Sequence, residues 1–141
     1  MSLTREQNAP WPDGRELDAL VATALMDWTL SAESWYDNEG LEMTVFRSPD
    51  ESLIDAFSGW LNWRDIDFSN LEHIPHYSTD IAAAWEVFEK ATANIKEKGE
   101  ELPTLFASYR GGWVCMHGNC AGDGETAPLA ICHYALAITL K

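Results

Sequence analysis

The chain has 141 residues, 46% of them hydrophobic, with 9 Lys and Arg against 23 Asp and Glu, for a net charge of −14. It is long enough to bury a single-domain core, too apolar for general disorder, and too acidic to suit duplex nucleic acid. No apolar run approaches the ~20 residues of a membrane span and no basic, apolar leader opens the sequence, so no membrane association and a cytoplasmic address are expected.

Residues 1–12 read as a flexible arm and residues 13–141 as one domain, without repeat, low-complexity tract or linker. Asp13 begins the first helix, with Glu16 as an imperfect capping box. Its apolar face is Leu17, Leu20, Val21, Ala24, Leu25 and Trp28. Asp37-Asn38-Glu39-Gly40 makes a turn, and Met43–Phe46 a short strand. Residues 52–61 read as a short helix capped by Asp50 or Ser52, although Gly59 disfavours it.

A long helix follows over residues 79–98, after Pro75 holds its lead-in extended. Ser78 or Thr79 caps it, Asp80 puts a negative charge in its first turn, and Gly99 stops it. Ile81, Ala84, Trp85, Phe88, Ala91 and Ile95 fall on one face at helical spacing. Thr104–Tyr109 and Trp113–His117 read as strands joined by the hairpin signal Arg110-Gly111-Gly112. Asn119–Glu125 is a glycine-containing loop, and Thr126 caps a last helix with Pro128 in its first turn. Antiparallel strands with helices before, between and after them predict an α+β fold.

Cys115, His117, Cys120, Cys132 and His133 crowd one stretch, yet without a Cys-x-x-Cys pair they read as core packing rather than a metal site. Three cysteines in a cytoplasmic chain also argue against disulfides. No nucleophile elbow or oriented Cys–His pair is identifiable, so neither enzymatic activity nor a cofactor is expected. The loop before the last helix could offer backbone N–H groups to an anion, but Asp123 and Glu125 put two negative charges there. Arg110 is the best cation for a phosphate, Tyr109 and Trp113 offer ring faces, Asn119 a base edge, and Thr126 a hydroxyl.

Three blocks carry a family resemblance. The stretch from Pro75 to Lys90, the pair Leu17–Ala22 and Met26-Asp27-Trp28, and Thr126–Cys132 resemble, in order, segments of the phage ABA-sandwich proteins. That resemblance implies a three-layer sandwich, with a mainly antiparallel sheet between helical layers, in a phage or prophage protein acting in the bacterial host cytoplasm. Some phage anti-defence proteins, the first Thoeris inhibitors, are similar to this family in size and architecture. They act as oligomeric sponges that bind a cyclic ADP-ribose-type signal without cleaving it.

The resemblance therefore implies sequestration of a small anionic nucleotide. In the last helix, relatives often carry arginine after Ile-Cys, where this sequence has His133, and a histidine pairs with phosphate more weakly at neutral pH. Seven tryptophans and the broad apolar stripe of the long helix point, with the sponge analogy, to a homo-oligomer, a dimer or higher. The competing reading is a phage accessory protein, structural or protein-binding, with no small-molecule ligand.

Overall fold

A computed structural model describes residues 14–35, 41–58, 63–97, 102–108, 111–117 and 120–139. In order come α1 (Gly14–Ala24), β1 (Thr29–Trp35), β2 (Leu41–Arg47), β3 (Ile54–Ser58), α2 (Ile81–Glu97), β4 (Thr104–Ala107), β5 (Trp113–His117), β6 (Cys120–Gly124) and α3 (Ala127–Thr139). Short 3-10 turns at Trp63–Asp65 and Phe68–Asn70 lie between β3 and α2. The expected α+β sandwich forms, its strands divided between two antiparallel sheets ordered β1-β2-β3 and β4-β5-β6. The proposed arm at residues 1–12, the turn at 37–40, Gly59 and Gly99 lie outside the described residues.

Helix α3 is the centre of the second half. It buries Ala130, Ile131, Cys132, Tyr134, Ala135 and Leu136, resting on β5 and β6 with α1 and α2 against it. A helix covered on several sides needs apolar residues around much of its circumference, which this one has. A second focus lies in the first half of the chain. Phe46 meets Phe57 and Trp63 edge-on, each at 6.3 Å between ring centroids, and Trp63 lies 4.8 Å from Phe68.

Residues 54–58 are strand β3, not part of a helix, and Asp50 caps a hairpin turn instead. Its carboxylate accepts from the Ser48 and Ser52 hydroxyls, each at 2.7 Å, and from the Ser52 N–H at 3.0 Å. Glu51 takes the left-handed conformation at φ 62, and the Ser48 N–H donates to Leu53 O at 3.0 Å to close the turn. β1 has no counterpart among the expected elements, because Thr29-Leu30-Ser31-Ala32-Glu33-Ser34-Trp35 carries few strand-forming residues. Its pairing with β2 is reinforced by the bidentate Arg47–Glu33 pair, at 2.6 and 2.8 Å.

In α2 the N-cap is Asp80, whose side chain accepts from Ala82 N–H at 3.0 Å, rather than Ser78 or Thr79. The buried face is also rotated from the one expected. Ala84, Val87, Phe88 and Thr92 are buried, while Ile81 and Trp85 are 52% and 47% exposed.

Three charged side chains fix the segment that leads into α2. Asp55, 4% exposed on β3, accepts from the N–H groups of Glu72, His73 and Ile74 at 2.9 to 3.1 Å. Arg15 on α1 donates to Ile74 O at 2.6 Å and Pro75 O at 3.3 Å. Asp18, 1% exposed, pairs with Arg15 at 2.7 Å and accepts from Ser78 N–H, also at 2.7 Å. On the far side the Cys132 thiol of α3 donates to Tyr77 O at 3.2 Å. Turns without a sheet or helix partner are thereby satisfied in the interior, where an unpaired backbone group costs about 1–3 kcal/mol.

Two predictions follow from these contacts. Asp55→Ala strands three N–H groups at once and should lower the unfolding free energy by at least ~3 kcal/mol, measured by urea denaturation. A loss under ~1 kcal/mol would refute the role given to Asp55. The second concerns Asp50, whose carboxyl is held down to about 2 by the Ser52 hydroxyl first, then the Ser48 hydroxyl and the Ser52 N–H. With an unfolded value of ~3.9, its contribution is complete above that pH and is lost as pH falls toward the folded value. NMR titration should place the Asp50 midpoint near 2, and Ser52→Ala should raise it; an ordinary midpoint in the parent protein would contradict the turn geometry.

Candidate functional site

Of the described residues that the sequence singles out, Trp113 lines a cleft at the hairpin end of the second sheet and Thr126 follows the last lining residue, Glu125. Ser108 N–H donates to Gly112 O at 2.9 Å and Gly111 N–H to Ser108 O at 3.0 Å, which closes the β4–β5 hairpin. Gly111 and Gly112 sit at φ 95 and 80, a region that side chains resist. Gly112 is also pressed against β6, since a Cβ there would come within 2.6 Å of Gly124 O. β6 then lies directly beneath α3. A Cβ on Gly124 would meet the Leu129 side chain at 2.7 Å, and one on Gly122 would fall on the backbone of His133 and Tyr134.

The stretch expected as a loop over Asn119–Glu125 is therefore a strand over Cys120–Gly124, and its glycines mark where a helix lands. Beside this contact opens a cleft of about 580 Å³, walled by Ser108, Gly111, Gly112, Trp113, Asp123 and Glu125. Trp113 is 37% exposed there. The N-terminus of α3 begins next to it: Thr126 O accepts from Ala130 N–H at 3.1 Å, and its hydroxyl accepts from Leu129 N–H at 3.4 Å. Thr126 is thus the expected cap, with its hydroxyl already engaged.

One further described candidate is not among the residues that wall this cleft. His133 lies on the outer edge of β6, where its Nδ1 donates to Asp123 O at 2.6 Å. Because a carbonyl only accepts, the hydrogen is assigned to Nδ1, and Nε2 is buried without a partner among the described residues. Tyr109, Arg110 and Asn119 lie outside the described residues.

The charge around the cleft is negative. Asp123 and Glu125 face it, while no described Lys or Arg side chain lines it. Arg15 is committed to Asp18, Arg47 to Glu33, and Lys90 to Asp27 at 3.0 Å. Arg64 also has a partner. Arg110, the residue before Gly111 in the sequence, lies outside the described residues.

The cysteines are differently placed from one another. Cys115, His117 and Cys120 share the face of β5 and β6 turned toward α3, whereas Cys132 bonds Tyr77 O. Among the described residues no group of three or more His, Cys, Asp or Glu side chains is arranged to hold a metal. Burial pushes the Cys115 thiol up to about 11 and raises that of Cys132 as well, with Asp18 adding to the second, so neither supplies thiolate at neutral pH. Tyr134, fully buried above Cys115 and Cys120, has a hydroxyl without a partner among the described residues, and burial raises it to about 12.

Sequence reasoning missed two other recesses. One, about 630 Å³, lies beside Phe57, Asp67, Ser69 and Glu72, where Asp67 is already occupied by Ser69 and Asn70. The other, about 460 Å³, is apolar and lined by Trp85, Phe88, Leu102, Pro103 and Leu105. Exposed Trp85 and Leu102 were its only signal, and Trp85 reads in sequence as a core position.

The family model for the phage ABA sandwich domain matches residues 19–136. The chain belongs to that family. It is accordingly a phage protein, and the matched span contains every described element except the ends of α1 and α3. No curated protein and no solved structure gives a significant match. Among the described residues no helix is long and apolar enough to cross a membrane.

The contact between β6 and α3 yields a sharp test of this geometry. Gly122→Ala, which has no room for its methyl group, should cost at least ~3 kcal/mol or prevent folding. Gly111→Ala faces open space and only an unfavourable φ, so ~1–2 kcal/mol is expected. Equal losses in thermal or urea unfolding would contradict the close approach of α3.

Proposed function

We propose that this phage protein binds and sequesters a small anionic nucleotide signal of the cyclic ADP-ribose type, without chemistry, in defence of the phage inside its host's cytoplasm. The observation that carries the reading is the cleft at the hairpin end, where exposed Trp113 stands beside glycine backbone and the N-terminus of α3. A base can stack on an indole face, and close backbone approach suits a phosphate. The resemblance to sponge proteins of similar size supports the same reading.

The acidic walls define what else is needed. Asp123 and Glu125 repel phosphate, so Arg110 supplies the opposing charge, with its planar fork donating two hydrogen bonds to phosphate oxygens. Tyr109 adds a second ring face, Thr126 backbone N–H groups, and Asn119 and His133 contact more distant parts of the ligand. Burial of the Cys115 and Cys132 thiols fits a binder better than a cysteine hydrolase.

Isothermal titration against cyclic nucleotides and ADP-ribose isomers tests this. Binding should saturate stoichiometrically, and the ligand should be recovered intact. Arg110→Ala should weaken it by at least ~10-fold, and Trp113→Ala by a similar factor. If no member of the panel binds, the accessory-protein reading takes its place; if Arg110→Ala binds as the parent does, the site is wrong.

A further inference from the structure

His133 does not wall the cleft, yet it is bonded to a residue that does. Its Nδ1–H donates to Asp123 O at 2.6 Å, reaching from α3 to β6. Backbone groups alternate along an antiparallel strand, so a carbonyl turned to α3 at Asp123 leaves Gly124 turned toward Trp113, its partner in register on β5. The peptide between Asp123 and Gly124 is thus held from both sides, its N–H by β5 and its C=O by the imidazole. Gly124 O in turn lies 2.6 Å from where a Cβ on Gly112 would stand, so the next peptide presses on the hairpin. Asp123, Gly124, Trp113 and Gly112 all wall the cleft.

We propose that His133 is a positioning residue of this cleft: by clamping the Asp123–Gly124 peptide, it fixes where the Asp123 and Glu125 carboxylates stand relative to Trp113. The ring's own confinement suits it to this. Nδ1 is engaged and Nε2 is buried without a partner among the described residues, so both nitrogens are withdrawn from a ligand. Only the carbon edge of the ring is left to touch one.

The strand needs such a hold. Cys120-Ala121-Gly122-Asp123-Gly124 has glycine on each side of Asp123, and glycine in a strand brings no side chain to pack. The end of a strand with few packed side chains opens locally unless a contact from another element secures it. Leu129, against Gly124, supplies the apolar part of that contact, and His133 supplies the polar part. Position matters because Coulomb energy varies inversely with separation, so carboxylates that shift beside a phosphate site change its affinity. That consequence rests on the nucleotide reading; the clamp does not.

The test compares the full chain with two variants, each first shown to fold by urea denaturation. His133→Leu removes the donor. His133→Asn keeps it, since the Asn amide nitrogen stands as many bonds from Cβ as Nδ1 does. Should His133→Leu fail to fold, His133→Gln, whose amide nitrogen stands one bond further out, takes its place. Amide hydrogen exchange at Gly124, read by NMR, should be at least ~10-fold faster in His133→Leu, the effect of one lost hydrogen bond, and within ~3-fold of the parent in His133→Asn. Imidazole nitrogen spectra of the parent should place the hydrogen on Nδ1. Unchanged exchange in His133→Leu, no restoration by His133→Asn, or a hydrogen on Nε2 each overturns the proposal. Titration with ADP-ribose and cyclic ADP-ribose should show binding weakened at least ~5-fold in His133→Leu and restored in His133→Asn. Equal affinity in all three chains overturns the positioning role. If the parent binds neither probe, the nucleotide reading fails, and the exchange measurements still decide the clamp.

Discussion

The fold depends on how the backbone between the 3-10 turns and α2 is held from both sides. Asp55 collects the N–H groups of residues 72–74, Arg15 takes carbonyls of residues 74 and 75, and Asp18 receives the N–H of residue 78. These side chains come from β3 and α1, so one irregular segment ties the first sheet to the first helix and aims α2. α3 then joins through the Cys132–Tyr77 contact. Each buried charge is tolerable because it is matched by a partner or by several backbone dipoles, and removing any one leaves the others exposed to the cost of burial.

The second half works by proximity rather than charge. Glycines at 122 and 124 let a helix sit on a strand with almost no side chain between them, and Gly112 lets the β4–β5 hairpin close over the same strand. The cleft beside Trp113 is a result of this stacking: three backbones converge, and the space left at their end is shallow, open and rich in peptide groups. Asp123 and Glu125 make it acidic, which is why the proposed function assigns the opposing charge to Arg110.

Much of the architecture was legible in the sequence. The three helices, the β4–β5 hairpin and the Thr126 cap follow from spacing and turn chemistry, and the family blocks at 17–28, 75–90 and 126–132 fall on or beside helices. What was not legible has a common cause. Residues 54–58 become a strand because β2 offers an edge and because Asp55 is needed beneath a segment 17 to 19 residues further on. Local propensity contains no such information. The glycines of β6 read as a loop for the same reason, since only the presence of α3 explains them. Helical spacing puts Trp85 on the core face, but the burial of Val87 and Thr92 turns that face of α2 outward. At the candidate site, Trp113 lines the cleft, Thr126 caps the helix that follows it, and the His133 ring bonds Asp123 O, a contact between helix and strand that spacing alone does not show.

The held segment before α2 has a further consequence. Asp55, Arg15 and Asp18 contact only its peptide groups, which every residue except proline presents alike. Glu72, His73 and His76 point their side chains into solvent and contribute nothing to its path. The shape of this stretch is therefore recorded in other parts of the chain, and its own outward letters are free to be rewritten without moving the helix that follows.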